Sequence, residues 1–231
     1  MRTELLQRLI EARRAKRPAV LATLIPSGEQ SLYVRDAVDA YEFSDTLTQV
    51  EEALRQDRSR TVDSERGAVF LQVFNPPLRL FVIGAVHITQ SLVGLSSMLG
   101  YDALVIDPRQ AFATSERFPG VRLDTEWPDE SLQAQSLDAR SAVVTLTHDP
   151  KIDDPALEVA LRSEAFYIGC LGSRKTHASR LQRLADRGFE ATLLERIHGP
   201  VGLDIGARSP QEIAVAIVAQ MTSVLRGGSL R

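Results

Sequence analysis

The chain changes rhythm at Asn75-Pro76-Pro77, and that change most limits what it can fold into. Two successive prolines supply no ladder donor and cannot continue a helix. The break therefore predicts a domain boundary, with one domain at 1–76 and a second at 77–231. Beyond it, short apolar runs alternate with longer helical patterns. Strands are expected at Leu80–Ile83, Ala103–Ile106, Ala142–Leu146 and Phe166–Ile168. Helices are expected from after Gly84 to about Leu99, from about Pro155 to Arg162, through Leu184, and from Gln211 to about Leu225 behind Pro210. Strands apolar on both faces suit a parallel sheet covered by helices on both sides.

The first domain reads as a small α+β unit. Thr3 can cap a helix over residues 3–16, where Leu5, Leu6, Leu9 and Ile10 recur at helical spacing. Ala19–Ile25 reads as a strand, Pro26-Ser27-Gly28 as a turn, and Leu32–Val34 as its hairpin return. A helix starting at Ser44 or Asp45 runs through Asp57, and Val69–Phe74 is a further strand.

Composition removes several function classes. Lys+Arg number 27 and Asp+Glu 30, a formal net charge of −3, so no general basic surface points to nucleic acid or an anionic membrane. The lone Cys170 excludes an intrachain disulfide framework and an all-cysteine metal cage, and it fits a reducing cytoplasm. The opening MRTELLQRLIEARRAKR lacks the apolar core of a signal peptide. Leu80–Tyr101 has no Asp, Glu, Lys or Arg and is long enough to span a bilayer. Its His87, Thr89, Gln90, three serines and three glycines favour a strand followed by an amphipathic helix instead.

In an open parallel sheet, ligands bind beyond the carboxyl ends of the strands near the point where strand order reverses. Five segments should converge on that edge: Gly84–His87, Asp107–Arg109, Thr147–Lys151, Gly169–Lys175 and Gly199–Gly206. Gly84-Ala85-Val86-His87 is a damaged dinucleotide fingerprint, with Val86 at the second glycine position and Thr89 at the third. Asp107, 23 residues after Gly84, is placed to accept from ribose hydroxyls. The Val86 isopropyl group crowds a pyrophosphate, so an altered ligand fits better than ordinary NAD(P). Gly172-Ser173-Arg174-Lys175-Thr176 opens a helix after a strand. Its N–H groups, hydroxyl and two cations favour a phosphate or carboxylate, since cations at that helix end are unfavourable unless an anion is present.

Other candidates carry alternatives. His148 and Asp149, with Asp153 and Asp154, suit a ligand contact, a metal with a further donor such as Asp204, or an Asx-rich loop in which Asp153 caps the next helix. Arg109 and Arg117 either reach an anionic ligand or pair with Glu116 and Asp124 at the surface. His87 and His198 either face the ligand or bond to backbone carbonyls. Gly199–Gly206, with three glycines and Pro200, is shaped for close backbone approach. Cys170 suits a buried small hydrophobe better than a reactive thiol.

The series IGAVHITQSL, LGYDALVIDPRQAFATSERFP, WPDESL, VVTLTHDPKIDDPAL, YIGCLGSRKTH and HGPVGLDIGARSPQEIAVAI resembles the xanthine dehydrogenase accessory protein family, also called XdhC/CoxI, across nearly all of Leu80 to Val218. The resemblance implies an α/β fold with a Rossmann-like C-terminal domain. It also implies a cytoplasmic chaperone that binds molybdenum cofactor, in mononucleotide or dinucleotide form, and delivers it to a molybdenum hydroxylase apoenzyme. Self-association as a homodimer and contact with a cysteine desulfurase or sulfurtransferase belong to the same expectation. The cofactor-binding set expected on this basis is Gly84, His87, Asp107, Arg109, Arg117, His148, Asp149, Gly172, Ser173, Arg174, Lys175 and Asp204. No catalytic triad or metal cage is complete, which favours cargo handling over turnover. A Rossmann-type NAD(P) oxidoreductase and a ligand-free structural adaptor are the competing expectations. Two departures stand out: the family's GAGH is Gly84-Ala85-Val86-His87 here, and its N-terminal Gly-Ser-x-Pro-Arg pattern is missing from Ala19–Val34.

Overall fold

The computed structural model describes residues 2–37 and 41–228. The chain divides into two compact units, Met1–Pro76 and Pro77–Arg231. The first contains α1 (Thr3–Arg14), β1 (Ala19–Leu24), β2 (Gln30–Val34), a 3₁₀ turn at Ser44–Thr46, α2 (Leu47–Gln56), β3 (Arg60–Ser64) and β4 (Gly67–Phe74). Its antiparallel sheet has the order β2-β1-β4-β3. Alternate residues of β1 serve two cores. Ala19 and Leu21 meet α1 through Leu5, Leu9 and Ala12, while Val20, Ala22 and Leu24 meet α2 through Val50, Ala53 and Leu54. Burial on both faces explains the unbroken apolar run. Thr3 is the first helical residue rather than the cap, which is Arg2 without a side-chain bond.

The second unit contains β5 (Leu78–Ile83), α3 (His87–Met98), β6 (Tyr101–Ile106), β7 (Arg122–Asp124), α4 (Pro128–Ala134) and β8 (Ser141–Thr145). It continues with α5 (Pro150–Leu161), β9 (Tyr167–Cys170), α6 (Arg174–Asp186), α7 (Ala191–Leu194), β10 (Ile197–His198) and α8 (Pro210–Arg226). The strand order is β10-β9-β8-β5-β6-β7, and every pairing is parallel. Phe81, Ile83, Val143 and Ile168 face α5 and Leu184 of α6. Leu80, Val82, Ala142 and Val144 face α3 and α8 through Leu92, Val93, Ala214 and Ile217. This is a Rossmann-like sheet with helices on both faces.

Two details differ from the sequence expectation. The sheet has six strands because β7 and β10 add short edges that carry almost no apolar signal. Helix α5 begins at Pro150, not near Pro155, because Asp149 is the cap: its Oδ1 accepts from Lys151 N at 2.9 Å. Asp153 is therefore not a cap but a buried first-turn residue. At the amino ends of β5 and β8, the buried Arg79 donates to the Gln135 and Ser136 carbonyls at 2.7 and 2.9 Å, donates to Ser141 Oγ at 2.9 Å, and pairs with Asp138 at 3.1 Å.

Candidate functional site at the carboxyl edge

The order of strands reverses between β5 and β8: β6 and β7 extend one way, β9 and β10 the other. Because every strand runs in the same direction, the five polar segments that follow β5, β6, β8, β9 and β10 all emerge at one edge. The reversal between β5 and β8 is where an open α/β sheet forms its crevice.

Gly84 directly follows β5 at that reversal. Its φ is +110°, and a methyl group there would lie 2.7 Å from Thr147 Cγ2. Glycine is required because the β8–α5 loop touches it. Thr89, in place of the third fingerprint glycine, donates from Oγ1 to the Gly84 carbonyl at 2.5 Å and accepts from Val86 N at 3.3 Å. Val86 is the N-cap of α3 and has no side-chain oxygen to offer the first-turn N–H groups, although its carbonyl accepts from Thr89 N at 3.1 Å. His87 is the first helical residue and is exposed.

Asp107 is fully buried and already satisfied. Its Oδ1 accepts from Arg109 N at 3.0 Å and Nε at 2.9 Å, and its Oδ2 accepts from Ala85 N and Arg109 Nη2 at 2.8 Å each. These four bonds fill the carboxylate's acceptor sites. Burial alone raises the Asp107 pKa, but the bonds from Arg109 and Ala85 N outweigh it and hold the group below its ordinary value. As the structure stands, Asp107 orients Arg109 and the Gly84 turn instead of presenting acceptors to a ribose. The Asp107 bond raises the Arg109 pKa, with smaller effects from Asp149 and Asp153 across the crevice. The Arg109 guanidinium also lies 4.7 Å from the Phe112 ring centre. Arg117 lies 5.9 Å from the same ring and donates to the Phe112 carbonyl at 2.7 Å. Arg109 and Arg117 thus flank one half-exposed ring, and neither forms an ion pair with Glu116 or Asp124 among the described residues.

On the β8 side, Thr147 organises the loop. Its Oγ1 donates to Asp153 Oδ1 at 2.7 Å and accepts from Asp149 N at 3.0 Å. His148 is exposed, with φ +62°. Asp149 caps α5, and Asp154 accepts from Arg183 Nε and Nη2 at 2.7 and 2.9 Å. The carboxylates of this loop are thus committed in separate directions. Among the described residues, no group of three or more His, Cys, Asp or Glu is placed to hold a metal ion.

The β9 side supplies the start of α6. Gly172 has φ +143°, and Ser173 Oγ caps the helix by accepting from Thr176 N at 3.1 Å. Arg174 and Lys175 occupy an exposed first turn with no acidic residue. Asp204 is exposed on the β10–α8 loop, and no hydrogen bond or ion pair joins it to the other candidates among the described residues. Cys170 is fully buried, and burial pushes its thiol up to about 12. His198, half-buried at the end of β10, stacks on Tyr167 with ring centres 4.9 Å apart. Sequence reasoning named Thr147 only as the start of a segment and missed two residues beside the site, Phe112 and the buried Arg180. Arg180 lies four residues before the buried Leu184 on α6, a spacing that marks an inward face.

The uncharged stretch Leu80–Tyr101 is accounted for by β5 and α3, and no helix among the described residues is long and apolar enough to cross a membrane. Comparison with known proteins gives one consistent result. The family model described as the XdhC Rossmann domain matches residues 80–221. A Bacillus subtilis protein described as a probable xanthine dehydrogenase subunit is 32% identical over 72% of this chain and 51% of its own length. The molybdenum cofactor insertion chaperone PaoD of Escherichia coli is 30% identical over 65% of this chain and 41% of its own. The chain thus spans about half or less of these relatives. A solved structure described as a xanthine dehydrogenase from Bacillus halodurans superposes with a TM-score of 0.71 at 25% identity, covering 98% of this chain and 65% of that one. With a parallel sheet in Rossmann order and a family match over most of it, the chain belongs to the XdhC family.

Proposed function

We propose that this protein binds molybdenum cofactor at the carboxyl edge of its parallel sheet and helps deliver it to a molybdenum hydroxylase of the xanthine dehydrogenase type. The observation that carries this is the start of α6. Two cations and a serine cap open the helix, no acid offsets them, and the turn lies at the edge where the sheet's ligand crevice forms. Such an end favours an anion, as a pterin phosphate would provide. The names of the Escherichia coli chaperone and the Bacillus subtilis relative support the maturation role. Gly84 and Gly172 shape the turns that open on this edge, and Arg109, Arg117, His87, His148, Asp149 and Asp204 line or border the same edge as candidate contacts. Cytoplasmic location, self-association, and contact with a cysteine desulfurase or sulfurtransferase are part of this proposal.

Titration with molybdenum cofactor tests it. Saturable binding is expected, and Arg174→Ala with Lys175→Ala should weaken it by at least about tenfold, since a charge-assisted bond is worth roughly 1.5–3 kcal/mol. Absence of saturable binding, together with full hydroxylase activity in a deletion strain, would refute the function. Cofactor binding that is indifferent to the double substitution would move the anion site elsewhere.

A further inference from the structure

We propose that the buried Arg180 guanidinium forms the back wall of the anion site at the start of α6 and tunes it for a doubly charged phosphate group. This rests on the anion-binding role of that helix start. Arg180 lies in the second turn of α6, and a helical side chain points back toward the N-terminus. Its Nη2 donates to the Leu171 carbonyl at 2.9 Å, and a methyl group on Gly172 would lie 3.8 Å from the same atom. The charged end therefore lies beneath the β9–α6 turn.

Arg180 is 2% exposed, yet its Nε and Nη1 have no hydrogen-bond partner among the described residues. A buried cation without a contacting counter-ion is strongly unfavourable, so its neighbours matter. From α5, Asp153 faces it at longer range without forming an ion pair: Oδ1 accepts from Thr147 and the buried Oδ2 has no partner. Asp154 is occupied by Arg183. From β9 comes the thiol of Cys170, which burial keeps protonated. Burial, and after it the Arg180 charge, push the His177 pKa down, which disfavours a second positive charge beside the guanidinium. Thus polar groups from α5 and β9 approach the guanidinium, and none neutralises it by contact. An anion above Gly172 would offset this charge together with the helix end. A doubly charged phosphate gains more there than a carboxylate of single charge.

Asp153 then acts as a built-in competitor. The charged and titratable groups near it are Arg180 and Arg183 on α6, Arg109 after β6, Cys170 on β9, and His148, Asp149 and Asp154 on its own segment. Its ionised form partly cancels Arg180, whereas its protonated form leaves the full positive potential to the guest.

The experiment is calorimetric titration with inorganic phosphate and acetate, and with sulfate across pH 5 to 8, where sulfate keeps a constant charge. The wild-type protein should prefer phosphate to acetate. Arg180→Met should lose about tenfold in phosphate affinity, as expected for a lost charged group, and Arg180→Lys should recover part of it. Asp153→Asn keeps an acceptor for Thr147 and should bind sulfate about threefold more tightly than wild type near neutrality, an effect of one neighbouring charge. That advantage should shrink as the pH falls toward the raised pKa of Asp153, where the wild-type carboxylate takes up its proton. Unchanged phosphate affinity in a folded Arg180→Met variant would overturn the proposal, as would equal sulfate binding by Asp153→Asn and wild type at every pH. If Arg180→Met fails to fold, the Asp153→Asn comparison decides. Cofactor titration separates the two claims. Cofactor binding without Arg180-dependent phosphate binding removes only this inference, and the converse removes only the cofactor role.

Discussion

Replacing Gly84 by alanine should destabilise the parallel-sheet unit by about 2–6 kcal/mol, from strain plus overpacking. The first contribution is backbone conformation. At φ +110° a residue with a Cβ is strained, at about 1–3 kcal/mol. The second is contact. The new methyl would lie 2.7 Å from Thr147 Cγ2 and 3.3 Å from Thr147 N, and such overpacking costs about 1–3 kcal/mol. Thr147 cannot simply rotate away. Its Oγ1 is held between Asp153 Oδ1 at 2.7 Å and Asp149 N at 3.0 Å, so turning it would forfeit two bonds at about 1 kcal/mol each. Urea unfolding followed by far-ultraviolet circular dichroism measures the loss, with an unchanged slope confirming a comparable transition. Thr147→Ser keeps the hydroxyl and deletes Cγ2. In the Gly84→Ala background it should restore about 1–2 kcal/mol, the overpacking share, and leave the backbone strain. A Gly84→Ala loss under about 0.5 kcal/mol, the size of an ordinary surface change, would refute the close approach of these loops, as would no recovery with serine.

Asp107→Asn should cost about 2–4 kcal/mol, because it leaves Arg109 and the Ala85 N–H facing a weaker, partly mismatched group. Because the folded pKa of Asp107 is depressed, its stabilisation is complete above the unfolded value of about 4 and fades as pH falls through the folded value. The substitution should flatten the acid limb of a stability–pH curve, and an unchanged limb would count against the assignment. Arg183→Met should cost about 3–5 kcal/mol by stranding the buried Asp154 carboxylate, read as a lower urea midpoint. Cys170 should resist a thiol reagent such as DTNB at mildly alkaline pH and react only in denaturant, so rapid native labelling would contradict its burial.

Much of the second unit's architecture was legible because its central strands are buried on both faces and so appear as uninterrupted apolar runs. Leu80–Ile83 and Ala142–Leu146 needed extension or shift by only a residue or two. The edges were not legible. Arg122-Leu123-Asp124 and Ile197-His198 are too short and too polar to stand out from loop, and β3 is a polar edge strand for the same reason. The start of α5 was ambiguous because Asp149 and Asp153 are both capping residues. Pro150 settles it, since its fixed φ suits the first helical position directly after Asp149. Spacing alone placed Asp107 opposite a ribose. What spacing cannot reveal is that Arg109, two residues on, folds back to fill that carboxylate. Arg180 was hidden among the charged residues of a helix whose outer face is basic.

Arg79 has a mechanical consequence for whatever binds at the far end of the sheet. It rivets the amino ends of β5 and β8 to the segment around Gln135–Asp138, and its own N–H is tied to the Arg140 carbonyl at 2.9 Å. The ladder between β5 and β8 is unbroken from Arg79–Ser141 to Ile83–Thr145, so a bulky guest is admitted by the loops beyond Gly84 and Thr147 while the sheet beneath stays shut, like a drawbridge hinged on a stone sill.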